Sequence, residues 1–173
     1  MTVLPSVWKE NRNTADILLG NGIAIYHQDK QVPMIFNGSC EHIFPDNTLY
    51  VIHSPVIGRI CVMICKDALT HDYLNVVLDK IRASLILIPS FSTGSYDFEN
   101  VVAHCRAYDC NVAWINACAA KHLKPDKPEN FRLTGLVLHS GKGSGALDRL
   151  IRPVYCQYRR KGVCLFDSEI DLD

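Results

Sequence analysis

The sequence contains no C-x-x-C pair, so its thiols lack the spacing of a structural zinc site, and no metal is expected. No apolar run approaches the roughly 20 residues of a membrane-spanning helix, so no membrane partner is expected. Neither sign of charge is in excess. Lys+Arg and Asp+Glu number 18 each, and no net field recruits nucleic acid or an acidic lipid surface. The basic cluster Arg159-Arg160-Lys161 is short and reads as a solvated turn. No secretory signal opens the chain. Its first twenty residues include Trp8-Lys9-Glu10-Asn11-Arg12-Asn13 and no continuous apolar stretch. No internal repeat is present. Gly141-Lys142-Gly143-Ser144-Gly145 lacks the strand-before, helix-after context of a phosphate loop and reads as a tight turn.

What is present is an ordinary globular composition, 48% apolar and 21% charged over 173 residues, enough for one domain with a good core. Of eight cysteines, Cys61, Cys105, Cys118 and Cys164 sit inside apolar segments rather than loops, which fits reduced thiols and a cytoplasmic location. The opening residues are polar and unpatterned until Ala15-Asp16-Ile17-Leu18-Leu19. Gly22–His27 then reads as a strand, and Lys30–Pro45 as an irregular stretch. Leu49–His53 and Arg59–Ile64 are two more strands, parted by a turn around Pro55 and Gly58.

Over His71–Ala83 the apolar period becomes helical, with Tyr73, Leu74, Val77, Leu78 and Ile81 on one face and Asp72 in the first turn. Ser84–Pro89 is an all-apolar strand of the kind buried on both faces, and strand–helix–strand order predicts a parallel pair. A serine- and glycine-rich loop, Ser90–Tyr96, precedes a second helix from about Asp97 to Asp109 that turns Phe98, Val101, Val102 and Cys105 to one side. Asn111–Asn116 is a buried strand, Lys121–Asn130 a surface loop, and Thr134–His139 and Gly162–Phe166 the last two strands. The fold class is therefore α/β, a single domain dominated by strands.

The most informative segment is Ile60-Cys61-Val62-Met63-Ile64-Cys65-Lys66-Asp67. An apolar run ends in a cysteine, two charges follow, and a helix comes next. A cysteine at the C-terminal lip of a buried strand is where an α/β enzyme can present a nucleophile, although a free cysteine is ordinarily one more small hydrophobe.

The order of these features resembles the nitrilase superfamily, the carbon–nitrogen hydrolases. Gly58-Arg59-Ile60 leading into Ile64-Cys65-Lys66-Asp67 is similar to the family's nucleophile strand and elbow. Gln28-Asp29-Lys30-Gln31-Val32-Pro33 is similar to its lysine segment, and Glu41 to the acidic residue between lysine and cysteine. Ala83–Ser90 resembles the strand after the elbow helix. Glu99–Asn116, with Arg106-Ala107-Tyr108 and Trp114-Ile115-Asn116, resembles the next helix–strand unit, and Gly162–Phe166 with Glu169–Leu172 the closing strand.

The resemblance implies an α-β-β-α sandwich and hydrolysis of a small amide, nitrile or carbamoyl compound through a thioester, with no cofactor. Cys65 would attack, and Lys30 and the backbone N–H groups after the elbow would stabilise the tetrahedral anion. Without the resemblance, Lys30 reads as an exposed lysine in a polar turn. Glu41 either holds Lys30 or is a loop carboxylate beside His42. Lys66 and Asp67 are expected at the substrate site, Lys66 through its main chain, while Asp67 reads more as a residue that positions the elbow than as one that touches substrate. His71 allows a Cys–His dyad, and Cys61 with Cys65 a redox pair, but both readings are the weaker ones.

The family's general-base glutamate precedes the lysine segment. Here the 29 residues before Lys30 hold one glutamate, Glu10, which does not receive that role. The expectation is a single partial domain over 1–173 that lacks the family's opening βαβα segment. It would be a fragment or one part of a split or fused enzyme, with weak turnover, or else a catalytically silent interaction domain. Exposed edges predict a homo-oligomer or a partner domain that completes the fold.

Overall fold

The structure is a computed structural model that describes residues 1–4, 6–20, 24–117, 120, 133–140 and 147–151. A small antiparallel sheet opens the chain: β1 (Thr2–Val3), β2 (Val7–Lys9), β3 (Arg12–Leu19) and β4 (Ala24–Asp29). β3 is central. β4 runs along one edge, while β1 and β2 share the other, pairing with its far and near ends respectively. The β2–β3 turn sets Glu10 and Asn11 at φ 51° and 60°, the positive pair that a tight hairpin demands. These strands correct the reading of the opening as unpatterned. β2 is exposed along its length, Val7 and Trp8 included, so no burial rhythm marks it, whereas β3 alternates and buries Ala15 and Ile17 fully.

Within the stretch expected to be irregular, β5 (Ile35–Phe36) and β6 (Ser39–Cys40) form a minimal hairpin around Asn37-Gly38, again both at positive φ. A larger sheet follows, built from β7 (Val51–Ser54), β8 (Gly58–Val62), β9 (Leu85–Ser90), β10 (Asn111–Asn116), β11 (Gly135–His139) and β12 (Leu147–Ile151). Its order is β12-β11-β10-β9-β8-β7. The three central strands β8, β9 and β10 are parallel and the outer pairs antiparallel.

Helix α1 (His71–Asn75) continues as a π-helical turn over Val76–Ile81 and ends at Arg82, whose φ of 55° breaks it. Helix α2 (Tyr96–Arg106) turns Phe98, Val101, Val102 and Cys105 inward as its period requires. Phe98 stacks on Trp114 of β10 with ring centroids 4.8 Å apart. Leu74, Val77 and Leu78 join the same core, as do Ala15 and Ile17 of the small sheet.

β9 was expected to be buried on both faces, but burial alternates along it. Ile86 and Ile88 are buried while Leu85 and Leu87 are half-buried, and in the neighbouring β10 Ile115 is exposed. The buried residues of both strands lie on the face that carries Trp114, against which Phe98 of α2 packs. The architecture is α/β, mixed sheets with few helices. Among the described residues no helix is long and apolar enough to cross a membrane. The segments read as loop 121–130, turn 141–145, strand 162–166 and closing stretch 169–172 lie outside the described residues, as do Cys118, Cys164 and the Arg159–Lys161 cluster.

Candidate active site

The parallel strands β8, β9 and β10 point their C-terminal ends the same way, the edge at which open α/β sheets present ligand-binding groups. Ser90 ends β9 and pairs in register with Asn116, which ends β10. Cys65 follows β8. Its φ of 49° is left-handed, a conformation that a non-glycine residue adopts at a cost of about 1–3 kcal/mol. The residue opens a 3₁₀ turn, Cys65–Asp67, that runs into α1. The strain sits at the residue singled out from the sequence.

Asp67 explains how the elbow is held. Its carboxylate is buried and accepts three backbone N–H groups: Ile64 at 3.2 Å, Gln31 at 3.0 Å and Val32 at 2.7 Å. One side chain thus fastens the cysteine turn to the lysine segment. Burial is the main reason its acidity is weakened, with the carboxyl pushed up to about 6. On the other side of Lys30, Asp29 takes the Arg12 guanidinium and the Thr14 hydroxyl, and the Lys30 N–H donates to the Asn13 carbonyl at 2.8 Å. Lys30 is therefore pinned from both directions and is 3% exposed, not the solvated lysine of a polar turn.

Its ammonium pairs with Glu41. The Glu41 carboxylate also accepts from the Met34 N–H at 2.9 Å and from the Asn13 amide at 3.2 Å. Burial pushes Glu41 upward, but the Lys30 ammonium and the Met34 N–H outweigh it and leave the carboxyl below its ordinary range. Of the two roles left open for Glu41, the geometry is that of a carboxylate holding Lys30.

Cys65 lies beside this pair, 9% exposed. Burial dominates and raises its thiol, while Lys30, the Phe91 N–H and the Ser90 hydroxyl act the other way. The buried Ser90 oxygen has no hydrogen-bond partner of nitrogen or oxygen among the described residues.

Lys30, Glu41 and Cys65 line one open cleft of about 1330 Å³, which Phe91 and Ser92 border from the loop after β9 and Tyr96 from the start of α2. Asn116 positions that loop: its side chain accepts from the Ser92 N–H and donates to the Ser92 carbonyl, both at 2.9 Å.

Lys66 and Asp67, expected at the substrate, do not line the cleft, because Asp67 is turned into the backbone behind the elbow. His71 is also elsewhere. It contacts Asn75 at 2.7 Å and packs against His104, whose ring bonds the Asn75 side chain at 2.9 Å. Cys61 and Cys65 are both free thiols, and burial pushes Cys61 up to about 11. Among the described residues no group of three His, Cys, Asp or Glu side chains could hold a metal ion.

Sequence reasoning missed Asn13, Ser90 and Asn116 as parts of the site. For the last two a signal existed, a polar residue closing an otherwise apolar strand at the carboxyl edge.

No family model matches the sequence, and no curated protein matches it. Solved structures do. Nit3 of Saccharomyces cerevisiae, a member of branch 10 of the nitrilase superfamily, is 18% identical at a TM-score of 0.57, over 82% of this chain and 54% of that one. A cysteine variant of the Nesterenkonia AN1 amidase, from the same superfamily, is 17% identical at 0.51, over 68% and 46%. A second variant of that amidase, with the acetamide moiety of fluoroacetamide covalently added at its active-site cysteine, is 18% identical at 0.51, again over 68% and 46%. The chain spans about half the length of these structures. Over the part it shares with them, this chain has the fold of the nitrilase superfamily.

Proposed function

We propose that the cleft is the reaction centre of a carbon–nitrogen hydrolase acting on a small amide, nitrile or carbamoyl compound. The observation that carries this reading is the meeting of Lys30, Glu41 and a strained Cys65 in one cleft, from three separate segments. On an amide, the Cys65 sulfur bonds to the carbonyl carbon and the Lys30 ammonium neutralises the oxyanion. The C–N bond breaks, the amine leaves with a proton, and water cleaves the thioester. Glu41, held below its ordinary range, is a weak base at neutral pH and orients Lys30 rather than taking the thiol proton.

One observation favours a second reading, a silent interaction domain. The Cys65 thiol is raised by burial, and the one carboxylate beside it is committed to Lys30. On the hydrolase reading, turnover by the described site alone is slow and rises with pH as the thiol ionises.

Fluoroacetamide separates the two. Displacement of fluoride by sulfur should add an acetamide group to Cys65 ahead of the exposed Cys40, as read by peptide mass spectrometry. Lys30→Met should slow the addition tenfold or more. Modification that follows exposure alone, with Cys40 first and Lys30→Met without effect, would favour the silent domain.

A further inference from the structure

The hydrolase reading leaves most of the cleft unexplained. A volume of about 1330 Å³ exceeds the roughly 300–1,000 Å³ that holds a drug-sized ligand, whereas an acetamide-sized substrate has four heavy atoms. Besides Cys65, the cleft is lined by apolar residues brought from four places: Trp8 on β2, Ile35 on β5, Phe91 after β9 and Tyr96 at the start of α2. All four are more than half exposed: Trp8 56%, Ile35 67%, Phe91 51% and Tyr96 65%.

Single exposed apolar residues are ordinary on a protein surface, but their convergence on one cleft is not. The charge pattern is equally one-sided. Among the described residues, the one charged lining residue outside the Lys30–Glu41 pair is Asp97, and Lys30 is occupied by Glu41. An anionic tail would find repulsion there and, among the described residues, no unpaired cation.

We infer that the cleft takes neutral carbonyl substrates whose acyl group carries a bulky apolar or aromatic tail, with the carbonyl at Cys65 and the tail against Trp8, Ile35, Phe91 and Tyr96. This rests on the hydrolase reading, since the position of the tail is defined by attack of Cys65. The aromatic walls supply large contact area at little conformational cost, and burial of each methylene-sized step should tighten binding roughly fourfold.

Aldehydes test the inference without any turnover. The Cys65 sulfur adds to the aldehyde carbon, and the thiol proton passes to the carbonyl oxygen, giving a reversible hemithioacetal. Acetaldehyde, 3-phenylpropanal and 4-oxobutanoate present a minimal, an aromatic and an anionic tail. Protection of Cys65 from iodoacetamide is followed at the Cys65 peptide by mass spectrometry, with each aldehyde normalised to its protection of glutathione. The expected result is that 3-phenylpropanal protects at least tenfold better than acetaldehyde and that 4-oxobutanoate protects no better than acetaldehyde. Trp8→Ala should lower the ratio of 3-phenylpropanal to acetaldehyde protection threefold or more, while Val56→Ala, at an exposed position that does not line the cleft, should leave it alone. Equal protection by acetaldehyde and 3-phenylpropanal, or strongest protection by 4-oxobutanoate, overturns the tail assignment and leaves the hydrolase reading intact. Failure of all three aldehydes, with Cys65 no more reactive than Cys40, overturns both.

Discussion

Asp67 ties the site together, because its two oxygens bridge segments more than thirty positions apart. Replacement by Asn turns a donor toward at least one of three backbone N–H groups and leaves it unpaired, a loss of about 1–3 kcal/mol. The loss should depend on pH. The folded carboxyl sits at about 6 against an ordinary 3.8, so the native state binds the proton more tightly than the unfolded chain. Asp67 therefore favours folding most below about pH 4, and that contribution fades as pH rises through about 6. The destabilisation by Asp67→Asn should accordingly be larger at pH 4 than at pH 7, by about 2–3 kcal/mol. Urea midpoints across that range check this, and a penalty that is flat with pH would refute it. From the sequence, Cys65, Lys30 and Glu41 could be nominated as a set by their order along the chain. That Asp67 positions the elbow is the better reading of its place in the chain, but its bonds to Gln31 and Val32 could not be read, since those donors lie more than thirty positions away.

At the scale of elements, the sequence was legible where burial is one-sided and continuous. The span of β10 matches its expected limits, and α2 buries the four side chains its period selected. It was illegible where strands are exposed: β2 buries nothing, and of the small sheet the strand read over Gly22–His27, which overlaps β4, was the part that could be seen. The Asn37-Gly38 dipeptide is a hairpin signal in its own right, but its flanking strands are two residues each and carry no period. The turn between β7 and β8 shows how tightly one element can be specified. Gly58 has φ 93°, and a Cβ there would run into the Ser84 hydroxyl, whereas a Cβ at Gly38, φ 76°, would meet open space. Both glycines are held in a conformation that disfavours other residues, so Gly38→Ala isolates the backbone strain, about 1 kcal/mol. Gly58→Ala adds displacement of Ser84, whose hydroxyl accepts from the Arg59 N–H at 3.3 Å, and should cost about 2 kcal/mol or more. Equal urea midpoints for the two variants would show that the close approach of Ser84 contributes nothing.

At the scale of the molecule, the question is whether the small sheet folds with the large one or merely rests on it. The site needs both: Lys30 follows β4 of the first, and Cys65 follows β8 of the second. Ala15 and Ile17 of β3 are fully buried in the same core as Ile86 and Trp114, so loss of either sheet would open apolar surface on the other. A shared core predicts one cooperative transition. The two tryptophans are placed to test it, because Trp8 lies on β2 and Trp114 on β10. Trp8→Phe leaves Trp114 as the sole reporter, and Trp114→Phe leaves Trp8. The second variant should be the less stable, because Trp114 is fully buried and stacked on Phe98 while Trp8 is exposed. Within each variant, however, tryptophan fluorescence and far-ultraviolet circular dichroism should give the same urea midpoint. If Trp8 fluorescence changes well before the dichroism does, the small sheet opens on its own. Lys30 would then leave Cys65 before the protein unfolds, and fluoroacetamide modification of Cys65 should slow at the same urea concentration. Coincident midpoints, with that modification lost only in the main transition, establish the cleft as a property of the whole fold.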